Sequence, residues 1–192
     1  KMQRNGSDSH PLFGGALSAV LPHSICDISE LREIPDNQEV FAHQHSDQSL
    51  IVELLEYQSH VLDGEAARYH FEDVARSNEA GGPGVSEVRS LEPLAKALLS
   101  LPDCSSAWLL AGTQLVSKFN EEAKNTVNIY LGLFRLPQHS TDIMVTFNDP
   151  VSISPLSSST GGASEMATAP WTLEDFRLVL HTLRLLDPAV FG

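Results

Sequence analysis

The sequence predicts an α+β protein: a mainly antiparallel β-sheet sandwiched between α-helices. Two runs near the end of the chain, "TVNIYLGLFRLP" and "TDIMVTFNDP", are joined by a short polar connection, the pattern of a hairpin. In the first run Ile129, Leu131 and Leu133 point one way and Tyr130, Phe134 and Leu136 the other, so the strand is covered on both faces. The closing segment changes period: Phe176, Val179, Leu180, Leu183 and Leu186 keep helical spacing after Thr172 and Asp175, a capping-box-like start. A two-faced sheet followed by an amphipathic helix implies layers.

Earlier elements follow the same logic. "ALSAVLP" (16–22) reads as a strand rather than a targeting leader, because Gly14 and Gly15 weaken the apolar run and Pro22 stops it. "DISELR" (27–32) is turn-rich and "QEVFAHQ" (38–44) strand-like. Asp47 then offers an N-cap for a helix of about a dozen residues. In that helix Leu50, Leu54 and Val61 would form an apolar stripe, with Ser49, Glu53, Glu56 and His60 opposite. A further helix is expected over 64–75. "SNEAGGPG" (77–84) is a loop, "VSEVRSL" a strand, and "LEPLAKALLSL" a short helix. "AWLLAGTQLVS" (107–117) is a strand pair or one bent strand. Residues 1–10 are expected to be a disordered tail, 11–192 a single domain, and the Ser-rich stretch 151–169 a mobile surface loop.

Composition narrows the partners. The 192 residues hold 25 acids against 12 bases, a formal charge of −13. Nucleic acid and anionic membrane both require basic surface, so neither is expected as a partner. No stretch approaches the roughly 18 apolar residues of a membrane span. Cys26 and Cys104 lack ligand-like spacing and read most simply as free thiols, with one disulfide the alternative.

Catalytic motifs are absent. "GGPG" lacks the lysine and the strand-to-helix setting of a phosphate loop, and neither a nucleophile elbow nor a dinucleotide fingerprint occurs. His43 with His45, and Glu56 with His60, make pairs to which no third and fourth ligand is added, so no metal or cofactor is expected. The suggestive local feature is Glu53 with Glu56: no Lys or Arg occurs between Arg32 and Arg68 to neutralise them. Asp36 and Glu39 precede them, and Asp27 and Glu30 are near in sequence. Together these acids would steer a basic protein surface.

"PLFGGALSAVLP", "LREIPDNQEVF", "DQSLIVELLE", "RYHFEDV", "LFRLPQHSTDIMVTFN" and the ending "DPAVFG" resemble the Ran guanine nucleotide release factor family, in order from Pro11 to Gly192. Residues 1–10, roughly 76–106 and 151–169 match poorly. The resemblance implies a single α/β-sandwich domain similar to the photosystem PsbP proteins, with a central antiparallel sheet of about six strands. It also implies a nuclear and cytoplasmic binding protein for the small GTPase Ran that promotes release of GTP and holds the emptied GTPase, without covalent chemistry of its own. A monomer is expected. By resemblance the Ran-binding residues would be Glu53 and Glu56, with Asp27, Arg32, Asp36 and Glu39 before them. Vertebrate members are also linked to surface delivery of the cardiac voltage-gated sodium channel. An adaptor that docks such a client without exchange activity is therefore the alternative.

Overall fold

The computed structural model describes residues 8–78, 85–117, 124–151 and 168–192. Ten strands and two α-helices occur among them, all strand pairs antiparallel. The chain opens with β1 (Ser9–Leu12) and β2 (Leu17–Val20), then β3 (Ile25–Asp27), β4 (Gln38–His43) and β5 (Ser49–Glu56). Helix α1 (Asp63–Ser77) precedes β6 (Ser86–Pro93), β7 (Ser106–Ser117), β8 (Lys124–Leu136) and β9 (Thr141–Pro150). Helix α2 (Leu173–Thr182) and the two-residue β10 (Arg184–Leu185) complete it. A seven-stranded sheet runs in the order β3-β4-β5-β9-β8-β7-β6, and a three-stranded sheet in the order β1-β2-β10.

The β8–β9 hairpin is as the sequence predicts, and its alternation divides the interior. Ile129, Leu131 and Leu133 pack with Met144, Leu110 and the α1 residues Ala66, Ala67 and Phe71. Phe134 and Leu136 pack on the other face with Val145, Phe147 and the α2 residues Phe176, Val179 and Leu180. Buried Leu12, Leu17 and Ala19 of the small sheet join that second layer. Each helix approaches the large sheet over a glycine. A Cβ on Gly112 would lie 2.7 Å from Phe71 of α1, and one on Gly132 would strike Leu180 of α2.

Several expectations are corrected. The helix predicted from Asp47 is the strand β5, paired to β4 on one side and β9 on the other. Leu50, Val52 and Leu54 face the α2 layer, while Ile51, Glu53 and Leu55 face the α1 side. A central strand apolar on both faces also satisfies i, i+4 spacing, and β-branched Ile51 and Val52 favour the strand. The Ser49–Glu53–Glu56–His60 stripe therefore does not exist, because strand parity separates its members and His60 lies in the turn beyond β5. "LEPLAKALLSL" supplies the end of β6 and only a short 3-10 turn, Lys96–Leu98, since the chain through Leu94 stays extended along β7, with Pro93 opposite Trp108 and the Leu94 amide donating to the Ala107 carbonyl. Residues 107–117 belong to one strand, β7. Leu186 lies past α2 and is 56 % exposed, because the helix ends at Thr182 and the chain turns into β10.

The capping box is present: Thr172 Oγ1 accepts from the Asp175 amide, and the Asp175 carboxylate accepts from the Thr172 amide. Of the tail expected over 1–10, Ser9 and His10 pair with Val20 and Ala19, whereas residues 1–7 lie outside the described residues. Most of the loops expected at 77–84 and 151–169 also lies outside them. No described helix is long and apolar enough to cross a membrane.

Candidate functional site: an acidic groove at the end of the sheet

A groove of about 890 Å³ opens where β5 ends and the segment before β4 crosses it. Its acidic lining is Glu33, Asp36, Glu39 and Glu56, with Arg32 the cation among its lining residues. Apolar walls come from Phe13, Ile34, Pro35 and Leu54, with Val190 and Phe191 from the C-terminus.

Local hydrogen bonds explain why the loop holds this shape. Asp27 caps a short 3-10 turn, accepting from the amide of Ser29 at 2.9 Å and its hydroxyl at 2.7 Å. The Gln38 amide closes a turn on the Pro35 carbonyl at 3.0 Å. Asn37 then grips β5 twice: its carbonyl accepts from the Leu54 amide at 2.9 Å, and its side-chain amide donates to the Leu54 carbonyl at 3.1 Å. Asp36 and Glu39 thereby stand beside the end of β5. Glu39 Oε1 also accepts the Phe13 amide at 2.7 Å, tying the small sheet to the large one.

Of the six residues singled out from the sequence, the groove collects four: Arg32, Asp36, Glu39 and Glu56. Asp27 lies outside its lining and shapes the turn that leads into it. Glu53 is on the opposite face of β5, where Gln38 Nε2 donates to its Oε2 at 3.1 Å. Burial pushes the Glu53 carboxyl above its ordinary range; the Gln38 hydrogen bond and nearby His70 oppose the shift, and Asp73 adds to it. Glu53 and Glu56 thus do not form one acidic pair.

Behind Glu53 lies a buried polar network that sequence reasoning missed. Arg135 and Asp142, both 0 % exposed, are cross-strand partners on β8 and β9 joined at 3.1 Å. Asp142 Oδ2 is 3.0 Å from His70 Nε2 of α1. The guanidinium also donates to the carbonyls of Gln58 at 2.7 Å and Val61 at 2.6 Å, and reaches Asp63 at 3.1 Å. Tyr57 stacks its ring 4.3 Å from the guanidinium carbon. This network ties down the β5–α1 connection on the side away from the groove. Its signal in the sequence was one Arg and one Asp at matched distances from the hairpin turn, within otherwise apolar strands. The groove's Phe13, Val190 and Phe191 were also missed, since nothing in their spacing brings the two chain ends together.

The histidine pairs resolve into structural roles. His43 is buried; its Nδ1 accepts the His45 amide at 2.9 Å, and its Nε2 donates to the Ala169 carbonyl at 2.8 Å. Both ring nitrogens are thereby occupied. His60 packs its ring on Tyr69. Among the described residues, no group of three or more His, Cys, Asp or Glu is placed to hold a metal ion. Cys26 and Cys104 are free thiols, and burial pushes Cys104 up from the usual thiol range.

The fold belongs to a known architectural class. A solved structure, the Saccharomyces cerevisiae Ran-binding protein Mog1p, superposes with a TM-score of 0.72, covering 96% of this chain and 97% of that one at 23% identity. The family model described as Ran-interacting Mog1 protein matches residues 10–150, and the chain belongs to that family. It is 67% identical over 184 residues to a Danio rerio protein named Ran guanine nucleotide release factor, covering 96% of this chain and 100% of that relative. The Homo sapiens protein of the same name is 47% identical, with 95% of each chain covered.

Proposed function

We propose that the protein binds the small GTPase Ran through the acidic groove and promotes release of its guanine nucleotide, GTP in particular, holding the emptied GTPase. The observation that carries this reading is the groove itself. Four carboxylates and one arginine ring an apolar-walled depression, on a protein whose net charge is −13. Family membership and the names of the relatives supply the partner.

The proposed mechanism needs no covalent step. A GTPase holds nucleotide through a phosphate-binding loop, a lysine and a magnesium ion. A factor that binds the emptied form more tightly lowers nucleotide affinity by the same coupling free energy with which nucleotide lowers its own. Carboxylates at Asp36, Glu39 and Glu56 would draw Ran basic groups away from nucleotide support, while Arg32 would bias the docking register. Action as a monomer, through one domain over 11–192, in the nucleus and cytoplasm, completes the reading. A Schizosaccharomyces pombe relative is named nuclear import protein mog1.

The test is release of a fluorescent GTP analogue from Ran. Wild-type protein should accelerate it. A folded Glu39→Lys/Glu56→Lys variant should bind Ran at least about 100-fold more weakly, because like-charge juxtaposition costs several kcal/mol. Glu53→Lys, on the other face, is expected to disturb Ran binding far less. Equal Ran affinity in wild type and the double variant would refute the groove. Ran binding without acceleration would favour the adaptor reading, in which the face docks a trafficking client such as the sodium channel.

A further inference from the structure

Three consecutive residues beside the groove lie in the left-handed region: Phe13 with φ 51°, Gly14 with φ 68° and Gly15 with φ 94°. Two glycines adopt such angles readily, whereas a bulky aromatic does so rarely. The surroundings hold Phe13 there. Leu12 pairs with Leu17 across the hairpin, and the Ala16 amide donates to the Phe13 carbonyl at 3.3 Å. The Ala16 carbonyl receives the amides of Leu186 at 2.8 Å and Asp187 at 3.0 Å.

In this turn the Phe13 amide is directed out of the hairpin. It donates to Glu39 Oε1 at 2.7 Å, across the junction between the two sheets. Glu39 Oε2 accepts a hydrogen bond from no described residue. A backbone donor on one carboxylate oxygen is charge-assisted, and it fixes the side chain without consuming the second oxygen. A carboxylate held in this way loses less rotamer entropy when a partner arrives.

We propose that the Phe13–Gly14–Gly15 turn is a positioning element of the groove: it clamps one oxygen of Glu39 and leaves the other for a basic side chain of the partner, with the Phe13 ring as the apolar wall beside it. This rests on the partner reading given above. The turn permits a clean test. A Cβ at Gly14 or Gly15 would meet nothing within 4 Å, so substitution there acts through backbone conformation and not through crowding. Asn tolerates the left-handed region, and β-branched Val does not.

The first measurement needs no partner: hydrogen exchange and chemical shift of the Phe13 amide by NMR in wild type, Glu39→Gln, Gly14→Val and Gly14→Asn. The amide should be protected in wild type, shifted by Glu39→Gln, exposed by Gly14→Val and protected again in Gly14→Asn. The second is Ran affinity. Gly14→Val should weaken binding about tenfold, Gly14→Asn should restore it, and in a Glu39→Gln background Gly14→Val should add nothing further. Thermal melts check that each variant folds, and Gly14→Ala replaces the valine variant if that one does not. An unprotected wild-type Phe13 amide would overturn the clamp whatever Ran does. A Gly14→Val loss that persists in full beside Glu39→Gln would overturn the positioning role. Failure of wild-type protein to bind Ran, with the amide protected and sensitive to Glu39→Gln, would locate the error in the partner reading.

Discussion

Glu53 and Glu56 stand three residues apart on β5, yet they serve opposite sides of the sheet. Glu56 is exposed at the strand end, in an open groove with three other carboxylates. Glu53 is half-buried beside α1, hydrogen-bonded to Gln38, close to the Arg135–Asp142–His70 network. One face leaves its charges to solvent. The other compensates each buried charge from within the chain. The difference teaches that an acidic residue without a neighbouring base in sequence can still have its partner in the fold, so that sequence proximity alone does not identify a docking surface.

The compensated face should break hardest. Arg135→Ala leaves Asp142 buried beside His70 and frees the carbonyls of Gln58 and Val61. Removing one partner of a buried ion pair costs about 3–5 kcal/mol. At roughly 2–4 °C per kcal/mol for a domain of this size, the melting temperature should fall by about 10 °C. Thermal unfolding followed by circular dichroism checks this. A fall of under about 2 °C would mean that the network orders the β5–α1 connection without stabilising the fold.

The two helix contacts sharpen the comparison at smaller amplitude. Gly112→Ala on the α1 side would bring its Cβ to 2.6 Å from the Glu87 carbonyl and 2.7 Å from Phe71. Gly132→Ala on the α2 side would meet only side-chain atoms, those of Leu180, among its nearest neighbours. Overpacking costs about 1–3 kcal/mol, and the Gly112 variant should lie toward the upper end because a backbone carbonyl yields less than a leucine. Urea midpoints of the two variants test the order. The reverse order would show that the α2 layer is the stiffer one.

The sequence made one half of this picture legible and hid the other for physical reasons. The β8–β9 hairpin, α1 and the Thr172 cap were readable because each depends on local chemistry: alternation, amphipathic spacing, a capping side chain. Strand β5 was misread because "SLIVELLE" is apolar on both faces, and such a run fits both periods. That single error moved Glu53 onto the side of Glu56. Asp36 and Glu39 line the groove all the same, because Asn37 fixes the segment before β4 against the end of β5 and β4 pairs with that strand. Phe13 and Phe191 could not be foreseen, since only tertiary structure joins the two ends of the chain. Arg135 and Asp142 gave a faint signal, a charge of each sign in strands with no exposed face.

The smallest expected effect isolates Glu53 itself. Its carboxyl is raised in the fold, chiefly by burial, so the folded state disfavours its ionised form. Wherever the carboxyl is ionised, the fold bears the cost of burying it. On acidification Glu53 protonates first in the folded state and then in the unfolded one near 4.5, and below that value the cost has disappeared. Glu53→Gln keeps an oxygen to accept from Gln38 and removes the titration. The variant should therefore be modestly more stable than wild type at pH 7, with the advantage shrinking as pH falls toward 4.5. Partial exposure of the site keeps the effect small through solvent screening. Urea midpoints of both proteins at several values between pH 7 and pH 4.5 read the difference, in which the titrating groups that do not interact with Glu53 cancel. An advantage that grows on acidification would mean that attraction to His70 outweighs burial at this carboxylate, and that Glu53 belongs to the buried network as a charged member.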